Sequence, residues 1–151
     1  MIATPRDTAL VTGASRGIGR AILERLVEDG LHVVNLDIAA PAAVHTHETF
    51  IQVDMADEAA LRAALAQATQ GRAITRLVNN AGIVRPAGID TATSADLQAV
   101  MALNVAASIA CVQAVLPAMR AARFGRIVNI SSRAALGKGE RIAYAASKAA
   151  L

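Results

Sequence analysis

Tyr144 and Lys148 stand four positions apart in the segment Tyr-Ala-Ala-Ser-Lys, close to Leu151. On a helix, side chains at that spacing begin about 5 to 6 Å apart, so the lysine can reach the tyrosine oxygen or a sugar hydroxyl beside it. A free phenol ionises near pH ~10, and a neighbouring ammonium favours the phenolate, giving a proton donor and acceptor usable near neutrality. That chemistry suits carbonyl reduction or alcohol oxidation. Ser131 and Ser132 precede the pair, and either hydroxyl can donate to an oxygen that gains negative charge.

A second chemical segment is Thr12-Gly-Ala-Ser-Arg-Gly-Ile-Gly19. Its glycines permit a tight turn and close backbone approach, and the N–H groups and dipole of a following helix attract a pyrophosphate. The spacing is G-x-x-x-G-x-G, not the G-x-G-x-x-G of the common dinucleotide fingerprint. Asp37 follows at the distance where a carboxylate accepts hydrogen bonds from an adenosine ribose and repels a 2′-phosphate, which favours NAD. Arg16 could meet such a phosphate and keeps NADP open. Asp37 also reads as a turn carboxylate before Ile38-Ala-Ala-Pro41.

The elements that must hold these residues alternate. Short β-branched runs and Ala-rich stretches give the pattern of βαβ units and a parallel sheet. Strands are expected over 8–11, 32–36, 50–53, 76–79 and 126–130, and helices over 17–29, 57–69 and 95–122. Gly30 and Gly71 close the first two helices, Ser94 caps the third, and Pro117 bends or breaks its last turns. Asn80, Ala81 and Gly82 end strand four at the crevice where strand order reverses, and Asn79 ties strand four to a neighbour. The fifth strand, with Ile127, Val128 and Ile130, is apolar on both faces and expects neighbours on both sides. The fold class is α/β, a Rossmann-type doubly wound parallel sheet of order 3-2-1-4-5. No repeat or linker divides residues 1–151, so they form one domain.

Composition excludes several classes. Of 151 residues, 54% are hydrophobic and 18% charged, which rules out a disordered chain. The net charge of +3 and pI near 9.8 come from scattered arginines without a basic run, and one Tyr, two Phe and no Trp leave no stacking platform, so no nucleic acid is expected. Cys111 stands alone, which fits a buried small hydrophobe and a reducing cytoplasm. His45 and His47 lack further ligands at metal spacing. The N-terminus carries no apolar leader core. The apolar stretch 101–119 is interrupted by Asn104, Ser108, Gln113 and Pro117, so no membrane span is expected, and it reads as a buried helix or a homo-oligomer contact.

Thr12 to Gly19, Asn79-Asn-Ala-Gly82, Asn104, the Ser131-Ser132 pair and Tyr144 to Lys148 occur in the order of the short-chain dehydrogenase/reductase family, which the chain resembles over nearly its whole length. The resemblance implies an NAD(P)-dependent oxidoreductase acting on a carbonyl or secondary alcohol, such as a 3-oxoacyl group or small ketone. It implies catalytic roles for Asn104, Ser132, Tyr144 and Lys148, with Asn104 holding a water that relays protons to Lys148. Cofactor contacts are implied for Gly13, Ser15, Arg16, Gly17, Ile18, Gly19, Asp37, Asp54, Asn80, Ala81, Gly82, Tyr144 and Lys148. Asp54 would lie beside the adenine amino group and Asn80 near the ribose, although Asp54 can equally cap the helix near Asp57. The family's Ser-to-Tyr spacing points to Ser131, whereas the strand Ile-Val-Asn-Ile-Ser-Ser points to Ser132, which is preferred because loops absorb length changes. Family members continue well past the lysine, so the sequence reads as truncated. A catalytically inactive dinucleotide-binding fragment or interaction module is then the alternative. The Leu151 carboxylate could compete for the Lys148 charge, and strand five would become an exposed apolar edge.

Overall fold

The computed structural model describes residues 7–151; the first residues of the segment searched for a leader, 1–6, lie outside them. Five parallel strands lie in the order β3-β2-β1-β4-β5, as the alternating pattern anticipated. They are β1 (Thr8–Thr12), β2 (His32–Asp37), β3 (Glu48–Gln52), β4 (Ile74–Asn79) and β5 (Arg126–Asn129). β1 is buried along its full length, because strands pair on both its edges and apolar cores cover both faces. The helices are α1 (Gly17–Glu28), α2 (Glu58–Thr69), α3 (Ser94–Met101), α4 (Ala107–Ala122) and α5 (Ile142–Ala150). Leu23 and Val27 of α1 pack on one face of the sheet, while Leu61 and Leu65 of α2 and Cys111 and Val115 of α4 pack on the other.

Several boundaries differ from expectation. β1 and β2 each run one residue further, ending on Thr12 and Asp37, because ladder bonds continue to the chemical residues themselves. β3 starts at Glu48, whose buried carboxylate gave no apolar signal. Asp57 is the cap of α2, accepting from Ala59 N at 2.9 Å and Ala60 N at 3.0 Å. Asp54 does not cap that helix.

The third predicted helix begins at Ser94, but its cap is Thr93, whose Oγ1 accepts from Asp96 N at 3.1 Å. The helix does not break at Pro117: α4 continues to Ala122, held by Val115 and Met119 in the core. Its irregularity lies earlier, in a π turn at Ala102–Ala106 that joins α3 to α4. The span 94–122 is long and apolar enough to cross a membrane by length and composition, with 33% of its most apolar window buried against the rest of the molecule. The polar Asn104 and Ser108 lie on the same buried stripe as Val100, Cys111, Val115 and Met119.

β5 pairs only with β4 among the described residues, so the neighbours expected on both sides are not there and Ile127 and Val128 are exposed. Cys111 is fully buried, and burial pushes its thiol up to about 12.

Candidate functional site

The glycine loop connects β1 to α1 and folds against the end of β4. Thr12 Oγ1 accepts from both Asn80 N and Ala81 N at 3.0 Å, and Asn80 Nδ2 donates to Thr12 O at 3.0 Å and Gly13 O at 2.9 Å. Gly13 and Gly17 have φ of 66° and 58°, a region that side chains disfavour. A Cβ on Gly19 would overlap the Gly13 carbonyl. Arg16 precedes α1 without a side-chain cap, which leaves the first-turn N–H groups of that helix for a ligand.

Side chains at the end of β2 reach the loop from the opposite side. Asp37 Oδ2 accepts from Ser15 N at 2.9 Å and its Oδ1 from Ala39 N at 3.2 Å. Asn35 Oδ1 accepts from Ala14 N at 3.1 Å, while its Nδ2 donates to Ser15 Oγ.

A groove of about 700 Å³ opens where these strand ends meet. Gly13, Arg16, Gly17, Ile18 and Gly19 form one wall, Asp37 and Asp54 the rim, and Asn80, Ala81 and Gly82 the other wall. Ser15, by contrast, is buried behind the loop and does not line the groove. Asp54 lines it while accepting from Ala56 N at 2.9 Å. Asn80 lines it too, but its amide nitrogen is committed to the loop carbonyls. Asn79 bonds Asn129 of β5 at 2.9 Å, the tie between strands that its position suggested.

Tyr144 and Lys148 occupy one face of α5, and neither lines the groove. Lys148 is buried, and its Nζ donates to Ile130 O at 2.7 Å and lies 5.8 Å from the Tyr144 ring centre. Burial lowers its pKa from the ordinary value of 10.5. Its ammonium therefore turns to the residue after β5, not to the Leu151 carboxylate. Gly82 links the two regions: a Cβ there would stand 3.1 Å from Asn104 Oδ1 and 3.6 Å from Lys148 Nζ.

Asn104 sits in the π turn with its amide fully engaged. Its Oδ1 accepts from Ile83 N at 2.8 Å, and its Nδ2 donates to Ile83 O at 3.1 Å and Ser147 Oγ at 2.9 Å. Ser147 Oγ in turn donates to Tyr144 O at 2.8 Å. Ser131 Oγ donates to Lys148 O at 2.7 Å, so its proton is spent on the backbone of α5. Ser132 Oγ accepts from Ala134 N at 3.2 Å, opening the 3₁₀ turn Arg133–Leu136, and its hydroxyl donates to no group among the described residues. Thr12, Asn35, Glu48 and Ser147 were not singled out from the sequence. Asn35, polar within His32-Val-Val-Asn-Leu-Asp37, was the one that could have been.

A parallel sheet with a glycine loop at its switch point defines a Rossmann-type α/β protein. Residues 7–151 match the family model described as short chain dehydrogenase, and the chain belongs to that family. It is 37% identical over 147 residues to the short-chain dehydrogenase/reductase olcF of Penicillium canescens, covering 92% of this chain and 57% of that protein. Among solved structures it resembles the aldohexose dehydrogenase of Thermoplasma acidophilum, with TM-score 0.88, 32% identity, and 96% of this chain on 57% of that one. It also resembles a 3-oxoacyl (acyl-carrier-protein) reductase of Agrobacterium tumefaciens with NADP bound, with TM-score 0.86, 33% identity, and 95% of this chain on 60% of that one. The chain spans under two thirds of the length of these relatives.

Proposed function

We propose that this chain carries the cofactor half, and the acid/base pair, of an oxidoreductase that moves hydride between a nicotinamide dinucleotide and a carbonyl or secondary alcohol. The observation that carries this reading is the closeness of Gly82, in the groove wall, to Asn104 and Lys148, where a Cβ would stand 3.1 Å from Asn104 Oδ1 and 3.6 Å from Lys148 Nζ; it supports reading the acid/base helix as a neighbour of the groove. A small ketone or 3-oxoacyl group is the substrate class, the latter in keeping with the name of one structural relative, a 3-oxoacyl (acyl-carrier-protein) reductase. One domain spanning 1–151 holds the site.

The cradle fits a dinucleotide, because Gly19 leaves no room for a side chain and the first turn of α1 offers unsatisfied N–H groups to a pyrophosphate. When bound, the nicotinamide donates or accepts the hydride. Gly13, Arg16, Gly17, Ile18 and Gly19 hold the phosphates, with Ser15 supporting them from behind, and Asp37 takes the adenosine ribose, which favours NAD; Arg16 leaves NADP as the second choice. Asp54, Asn80, Ala81 and Gly82 border the adenosine half.

Tyr144 exchanges a proton with the substrate oxygen. Lys148, held by Ile130, presents its cation to the phenol and the nicotinamide ribose. Ser132 donates a hydrogen bond to the substrate oxygen as negative charge builds there. Asn104 supports the proton relay by fixing α5 through Ser147. No metal and no nucleic acid enter this scheme. The exposed side of α4, with Ile109, supports a homo-oligomer contact, and the lone Cys111 fits a cytoplasmic setting.

One observation favours a second reading, a dinucleotide-binding module without turnover: Ser132, Tyr144 and Lys148 do not line the groove. Calorimetric titration with NAD and NADP, beside NADH oxidation assays on a panel of ketones, separates the two. Binding with turnover supports the enzyme, binding alone the module, and no binding of either dinucleotide overturns both.

A further inference from the structure

Asn35 and Glu48 form a buried polar pair behind the glycine loop. Asn35 is fully buried in the middle of β2. Glu48 opens β3, and its side chain has no exposure at all. Glu48 Oε1 accepts from Asn35 Nδ2 at 2.9 Å, and Oε2 accepts from Arg20 Nη1 at 2.8 Å and His45 N at 2.9 Å. Arg20 lies on α1 directly after Gly19, and Asn35 bonds Ala14 N and Ser15 Oγ. One buried carboxylate thus grips the loop at its beginning, through Asn35, and at its end, through Arg20.

The polarity of this arrangement is forced. A carboxylate can only accept, so it turns the Asn35 NH₂ toward itself and the Asn35 carbonyl toward Ala14 N. A buried charge is costly unless every bond is made, and an apolar residue would close the β2–β3 seam without that cost. The bonds that Glu48 makes lead to the loop and to the helix whose N-terminus faces the groove.

We propose that Glu48 is a positioning residue for dinucleotide binding, holding residues 13–19, through Asn35 and Arg20, in the shape that receives a pyrophosphate before any ligand arrives. This inference rests on the reading that the groove takes a dinucleotide. It concerns binding and not the hydride step, so its signature is affinity.

The test swaps the donor and acceptor. Asn35→Asp keeps the acceptor for Ala14 N but sets two carboxylates face to face. Adding Glu48→Gln restores one donor between them with the roles reversed, and restores the net charge. On the 151-residue chain, Asn35→Asp is expected to weaken NAD binding by about tenfold or more, and to speed amide exchange at Ala14 and Ser15 without NAD by a similar factor. The double variant is expected to recover both to within about threefold of the parent, a rescue that general loss of stability does not produce. If Asn35→Asp does not fold, Glu48→Gln alone carries the test, with faster exchange at Ala14 and weaker NAD binding expected. Unchanged affinity and exchange in Asn35→Asp, or in Glu48→Gln, or a double variant no better than Asn35→Asp, overturns the inference. Failure of the parent to bind NAD or NADP overturns the proposed function instead, and the exchange at Ala14 and Ser15 still decides the role of Glu48.

Discussion

Lys148 Nζ donates to the Ile130 carbonyl at 2.7 Å, which anchors the cation of α5 to the first residue after β5. The lysine is buried, and burial lowers its pKa from 10.5. The unfolded chain therefore binds this proton more tightly than the folded protein. Between the lowered value and 10.5 the unfolded state holds more protons, so the lysine makes stability rise with pH through that window; below it, the burial cost is fully present. Lys148→Met is expected to remove this rise, measured as urea midpoints across alkaline pH. An unchanged slope would show that the ammonium is solvated.

Cys111 gives a slope of opposite sign. Its thiol is pushed from 9.0 to about 12 by burial, so the folded state keeps a proton that the unfolded state releases above 9.0. Stability is expected to fall as pH rises through that window, and Cys111→Ala to flatten the fall. The same burial predicts that a thiol reagent labels the native protein only as fast as it opens, and labels the urea-unfolded chain at once. Rapid labelling of the native state would place the thiol at the surface.

Gly19→Ala introduces a methyl that overlaps the Gly13 carbonyl, and the loop cannot retreat because Asn80 holds that carbonyl at 2.9 Å. A cost of about 1 to 3 kcal/mol in stability is expected, with at least tenfold weaker NAD binding. Denaturant titration and calorimetry read the two effects separately, and full NAD affinity in this variant would mean that the loop relaxes elsewhere.

Asp37→Ser removes a carboxylate at the groove rim while leaving an acceptor for Ser15 N. NADP affinity is expected to rise about tenfold relative to NAD, and Arg16→Ala to lower NADP affinity with little effect on NAD. Competition calorimetry with both dinucleotides checks this. A parent that already prefers NADP would count against Asp37 as the discriminating group.

Tyr144→Phe removes the only phenol and leaves the groove walls untouched. Ketone-dependent NADH oxidation, where the parent shows it, is expected to fall about 100-fold or more, with NAD affinity within about threefold of the parent. Equal activity in the variant would remove Tyr144 from the proton transfer.

The sheet was legible in the sequence because short β-branched runs alternate with Ala-rich helical stretches, and the strand order comes with the Rossmann-type reading. The loop, Asp37 and the Tyr-Lys pair were legible because their spacing is local. What escaped was set at long range. Glu48 gave no strand signal because a buried acid is unreadable without its donors, Arg20 and Asn35, which lie 28 and 13 residues away. Asn104 was expected in a helix, but the π turn around it leaves no mark in composition. Spacing points to Ser131 and the strand to Ser132, which is preferred; the bond from Ser131 to Lys148 O spends one hydroxyl and supports that preference.

The π turn at Ala102–Ala106 also bears on how this protein could be misjudged. A π turn carries roughly one residue more than an α turn, so deleting one residue there lets the helix close into regular geometry. The helices on either side would keep their phase, because the residue removed is the one the wider turn holds in excess, and the change would fall on the residues inside the turn, Asn104 among them. Asn104 would swing away from Ile83 and Ser147 while the helix itself became more regular. Circular dichroism would report an intact or improved fold, and the anchor of α5 would be gone: at this position, helical regularity and the integrity of the site are opposed.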